Sequence, residues 1–285
     1  MTAKRRVYNI QMNEPSRGEP GSEADRLGVL TATVLLTYAL TRIIRSPELQ
    51  LSLQLPGFYF AFPLTLATVM TLLAAGLTAT GMDWLLRSHP ALREKPSVEH
   101  WMLPTLTTFV VGAPLSIIED ARVWWLAFMI GAVVLVLVFL AEYVVVDPSA
   151  PNYALARAGL TALSYALFLI LATAMQLGGV RLFLLIPALF VSAALIALRI
   201  LHLDGADRWD FPWAAGIGLI CAQLGAGLHY WPITALQWGL AVTGPLYGLT
   251  LLCSGLTEGN PIRQARLGPI LVVVASWAAA ALLSL

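Results

Sequence analysis

The sequence predicts an all-α fold: a polytopic integral membrane helical bundle of about nine transmembrane helices. Three observations carry this. The chain of 285 residues is 58% hydrophobic and only 12% charged, about half the charged share of a soluble domain, so an aqueous surface cannot be assembled from it. Its apolar runs recur at the length of about 20 helical residues that a bilayer core of about 30 Å requires. Its seventeen Lys and Arg residues divide unevenly between alternate loops, thirteen on one side and four on the other. Basic loops stay in the cytoplasm, so the N-terminus is expected inside and the C-terminus outside. The net charge of +1 gives no reason to invoke nucleic acid.

Residues 1–25 are polar, of mixed charge, without an apolar period, and read as a disordered cytoplasmic tail. Arg5-Arg6 is not read as an export signal, because the first apolar run starts only at Leu27 and lacks a small-residue cleavage site. Residues 26–285 then form one transmembrane domain, with spans at 27–44, 57–80, 102–118, 124–146, 155–177, 181–201, 212–229, 232–254 and 268–285. Helices are the default because lipid cannot satisfy a free N–H or C=O, whereas a helix satisfies its own. Between the first two spans, residues 49–55 (LQLSLQL) alternate strictly, which suits an extended segment with one apolar face. Glu119, Asp120 and Arg122 make a tight solvated turn before span four. Four spans start at or just after a proline, Pro104, Pro151, Pro212 or Pro269, where a missing N–H costs nothing. Only Tyr230 and Trp231 separate spans seven and eight, which therefore form a tight hairpin or include a re-entrant helix. Seven of nine tryptophans, Trp124 and Trp125 among them, fall at expected interfaces.

Packing between helices in lipid relies on small residues. Span seven carries Ala214, Gly218, Ala222 and Ala226 every four residues, and span eight carries Gly244 and Gly248 around Pro245. These smooth faces are expected to be buried against each other or against a third helix. Cys221 and Cys253 lie inside apolar runs and form no metal-ligand spacing, so they read as packing residues.

No ionisable residue sits near the centre of any span, which argues against an ion-coupled pump. The deepest acid is Glu142, about one turn inside span four, and Arg157 enters span five from the same side as its expected ion-pair partner. On the outer half of spans seven and eight, Gln223, His229, Tyr230 and Gln237 are the candidates to line a polar pocket. The loop 202–210 (HLDGADRWD) places Asp204, Asp207 and Asp210 three apart, and with Asp83 these are the candidate metal ligands, able to hold Mg²⁺ against a diphosphate. Nine spans, an inside N-terminus and that acidic loop resemble the intramembrane prenyltransferases. That family places an Asn-Asp-x-x-Asp motif after span two, where this chain reads GMDWLLRSHPALREKPSVEH with the single early acid Asp83. Phosphate-loop, His-Glu-x-x-His and Gly-x-Ser-x-Gly signatures are lacking, and no cofactor is expected.

The expected function is therefore that of a structural or assembly component of a prokaryotic-type cytoplasmic membrane. Its partners are the lipid bilayer and either another membrane protein or a second copy. The alternatives are a transporter or binder of lipid-like molecules, which needs a pocket reaching the midplane, and a Mg-dependent enzyme acting on a lipid diphosphate, whose acidic loops must converge.

Overall fold

The computed structural model describes residues 20–44, 49–55, 58–87, 89, 92, 98–204 and 209–283. Among them the long helices are α1 (Pro20–Ile43), α2 (Leu66–Leu86), α3 (Val98–Ile117), α4 (Ala121–Val145), α5 (Tyr153–Leu177), α6 (Leu182–Asp204), α7 (Phe211–Leu228) and α8 (Ala235–Thr257). A short α9 (Ile262–Ala265) leads into α10 (Leu267–Leu282). Eight segments are long and apolar enough to cross a membrane, with α9 and α10 counted as one. The remaining long helix, α3, begins with Glu99 and His100 and carries Thr105, Thr107 and Thr108, which dilute its apolar character. Most of the expected tail, residues 1–19, lies outside the described residues, and its last part is already helical from Pro20.

One span needs correction. The run expected to cross the membrane from residue 57 starts as a strand: β1 (Leu49–Leu55) pairs antiparallel with β2 (Phe58–Leu64), from Leu49↔Leu64 to Leu55↔Phe58. The segment FYFAFPL is aromatic and suits a strand, and a short apolar run does not reveal its period. The helix begins only after Thr65, whose hydroxyl accepts from the Thr68 N–H as its N-cap. The turn before α4 is likewise built by capping, with the Asp120 carboxylate accepting from the Arg122 and Val123 N–H groups.

α6 is the central helix, 56% buried, whereas α10 is peripheral at 11%. The small-residue stripes explain part of this. A Cβ on Gly218 of α7 would stand 2.7 Å from the Phe190 carbonyl oxygen of α6, so the two backbones touch. Ala214 and Ala222 are buried on the same face, and Ala226 is half-buried. Gly244 and Gly248 of α8 instead face Ser276, Val273 and Pro269 of α10. Each smooth face thus meets a third helix, α6 or α10.

Polar side chains add ties at depth. Tyr38 of α1 donates to the Thr108 carbonyl of α3, and the Thr78 and Thr108 hydroxyls are 2.9 Å apart between α2 and α3. Such bonds compensate for the weak hydrophobic drive between helices in lipid. Trp124 does not serve as an interface anchor. It is buried, and its indole N–H donates to the Leu115 carbonyl at 3.1 Å, while its neighbour Trp125 is exposed.

Candidate functional site

The start of α3 and the ends of α4 and α6 meet at one end of the bundle, on the face that the sequence makes basic. Five ionisable side chains converge there. Glu142, in the last turn of α4, is fully buried, and Arg199 of α6 is 2% exposed. Arg199 Nη2 donates to Glu142 Oε2 at 2.6 Å. His100 of α3 places Nδ1 3.0 Å from the same oxygen and Nε2 3.1 Å from Glu99 Oε1. His202 of α6 contacts the second Glu99 oxygen. Glu99 and His202 sit where the helix dipole favours them, an acid in a first turn and a base in a last turn.

Each nitrogen of His100 faces a carboxylate, so the ring satisfies both only when both nitrogens carry a proton. Two carboxylates are then matched by a guanidinium and an imidazolium, which is how a charged group becomes tolerable in a low-dielectric interior. The Trp209 ring stacks on His202, with centroids 4.5 Å apart, and covers the cluster from the α6–α7 connection. Glu142 Oε1 and Arg199 Nε are buried without a hydrogen-bond partner among the described residues.

The expected Glu142–Arg157 pair is not formed. Arg157 instead donates to Asp204 Oδ1, and Ser254 of α8 donates to Asp204 Oδ2 at 2.8 Å. Arg199 and His202 are three apart on α6 and share a face, which brings both to the cluster. Asp204, thus engaged, does not gather with the other acids proposed as metal ligands. Asp83, in the last turn of α2, is bonded to Arg87 at 2.7 Å, Asp210 stands before α7, and Asp207 lies outside the described residues. Among the described residues no three His, Cys, Asp or Glu side chains are grouped to hold a metal ion.

The polar set on spans seven and eight also separates. Gln223 is exposed. Gln237 is spent on structure: it forms a capping box with Thr234 at the start of α8 and donates to the Ala280 carbonyl of α10 at 3.1 Å. His229 and Tyr230 do line an open groove of about 790 Å³ together with Gln176 and Arg181, and the His229 ring lies 3.2 Å from Gln176 Oε1.

A second feature adjoins the cluster. An apolar slot of about 490 Å³ runs between α2, α3, α5 and α6, walled by Ala75, Trp101, Leu106, Leu171, Pro187 and Leu195 among others. Two hydroxyls reach its lining, but each is turned inward: Thr105 donates to the Trp101 carbonyl and Ser192 to the Ala188 carbonyl. Both hydroxyls are thus engaged by their own helices, and the lining is almost wholly apolar. Phe109 and Val191 on its rim are 37% and 50% exposed, so it opens sideways onto the apolar flank of the bundle. Trp101 follows His100 in sequence, and Leu195 lies one helical turn before Arg199, so the slot ends beside the cluster.

The sequence profile of the family described as "Protein of unknown function (DUF5656)" matches residues 46–283. No curated protein and no solved structure matches the chain.

Proposed function

We propose that this chain, which belongs to the DUF5656 family, is a multi-pass membrane protein that binds the tail of a lipid-like molecule between α2, α3, α5 and α6. The observation that supports this reading is the slot. Its volume of about 490 Å³ falls within the roughly 300–1,000 Å³ of small-molecule sites. An almost wholly apolar lining suits an acyl or isoprenoid chain, because a polar ligand entering it would leave most of its own groups unpaired. The lateral opening lets such a chain enter from lipid without crossing water. In this reading the basic face is cytoplasmic, supported by the thirteen-to-four division of Lys and Arg.

Native mass spectrometry of protein gently extracted from its own membrane tests the slot. The wild type is expected to retain one chain-type lipid per protein, and Ala188→Phe, which fills the slot with a ring, to lose it while unfolding at no lower temperature. Equal retention by both proteins would remove the basis for the reading.

A second reading, a structural component of a larger membrane assembly, is supported by α10, which is 11% buried and leaves Leu271, Val274 and Trp277 exposed. In the same experiment it predicts a protein partner, lost on truncation before α9, and no small ligand.

A further inference from the structure

We propose that the buried cluster is a proton-loading site, in which proton uptake at Glu99 drives a second proton from His100 onto Glu142 while Arg199 stays against the neutral carboxyl. This does not rest on the slot reading. The side chains alternate carboxylate, imidazole, carboxylate, in contact throughout: Glu99 Oε1 to His100 Nε2 at 3.1 Å, then His100 Nδ1 to Glu142 Oε2 at 3.0 Å. Both separations are hydrogen-bond distances. Exposure falls along the same path, from 21% at the Glu99 side chain through 6% at His100 to 0% at Glu142. Water thus reaches one end and not the other. Chains of Glu and His inside membrane proteins are the usual form of proton relays, and imidazole is the side chain that exchanges protons near neutral pH.

The step balances without a co-reactant. In the resting cluster His100 carries a proton on each nitrogen and is held by two carboxylates. A proton from water binds Glu99, which then holds the imidazolium less strongly. The Nδ1–H bond breaks and a new O–H bond forms at Glu142 Oε2, leaving a neutral imidazole that still donates from Nε2. Loss of the proton from Glu99 reverses the shift. Arg199 and His202 face the chain from α6, Tyr143 follows Glu142 on α4, and Asp210 follows Trp209 at the head of α7. Arg157 of α5 is held by Asp204. The atoms Glu142 Oε1 and Arg199 Nε, without a hydrogen-bond partner among the described residues, are the second observation: Oε2 alone carries the bonds to Arg199 and His100, and Oε1 is left as an open acceptor within the buried carboxyl.

Infrared spectroscopy of the protein in lipid nanodiscs, with carboxyl-¹³C-labelled glutamate, reads the loaded state directly. A protonated glutamic acid C=O band is expected to rise in the wild type as pH falls, to exchange slowly into D₂O, and to be missing in Glu142→Gln. In Glu99→Gln, which keeps the shape of a mostly buried side chain, its midpoint is expected to move by about one pH unit or more. Absence of a titrating, slowly exchanging glutamic acid band in the wild type overturns the proposal without any variant. An unmoved midpoint in Glu99→Gln also overturns it, because Glu142 would then take its proton independently.

Discussion

Glu142 and Arg157 are both charged residues near the same end of the bundle, but their surroundings give them different weights. Glu142 is fully buried and shares one oxygen between Arg199 and His100. Removing it leaves a guanidinium in a dry interior, so Glu142→Ala is expected to destabilise the protein by about 3–5 kcal/mol. The pair itself contributes less than that figure suggests, since desolvation offsets most of its attraction. The double change Glu142→Leu with Arg199→Leu is therefore expected to be more stable than either single change. The Arg157 side chain is 38% exposed, and water screens its pair with Asp204, so Arg157→Ala is expected to cost about 0–1 kcal/mol. Denaturant unfolding of the five variants in one detergent checks this ranking, and equal losses for Glu142→Ala and Arg157→Ala would contradict it.

At the level of elements, two glycines on α7 separate packing from propensity. A Cβ on Gly218 would press on the Phe190 carbonyl at 2.7 Å, a backbone atom that cannot swing aside, whereas a Cβ on Gly216 meets nothing within 4 Å. Gly218→Ala is expected to lose about 1–3 kcal/mol and Gly216→Ala to gain about 0.4–1 kcal/mol, read as opposite shifts in thermal unfolding temperature. The four-residue spacing of Ala214, Gly218, Ala222 and Ala226 made the α7 stripe legible in the sequence, because a helix repeats every 3.6 residues. Its partner was not legible, since α6 and α8 are both apolar neighbours. The β-hairpin was half legible. Alternation revealed β1, but β2 merges into the apolar run of α2, and only Pro63 and the capping Thr65 mark where the chain changes period. The cluster was legible only at Glu142. An acid inside a span demands a cation at equal depth, and Arg199, with His202 three residues on and the Glu99-His100 pair opening α3, met that condition as well as Arg157 did. Distinguishing them requires knowing that α3 packs against both α4 and α6, which lets Arg199 reach Glu142 at this end, and hydropathy does not encode that.

For the whole molecule, composition and charge were enough to give the plan of about nine helices, since both act at the scale of the bilayer rather than of a contact. Orientation is open to a direct check. Cys221 and Cys253 are buried, which keeps native labelling low, while Ser149 and Tyr230 are exposed in turns at opposite ends of the bundle. Ser149→Cys is expected to react with an impermeant thiol reagent only from the cytoplasmic side, and Tyr230→Cys only from the other; reaction of both from one side contradicts the topology. The central claim is that the slot between α2, α3, α5 and α6 holds a lipid tail. Cryo-electron microscopy of the protein in nanodiscs of its native lipids tests it most directly. An elongated density running from Pro187 toward Trp101 is expected, and side chains closed across that space with no density between them would contradict the account.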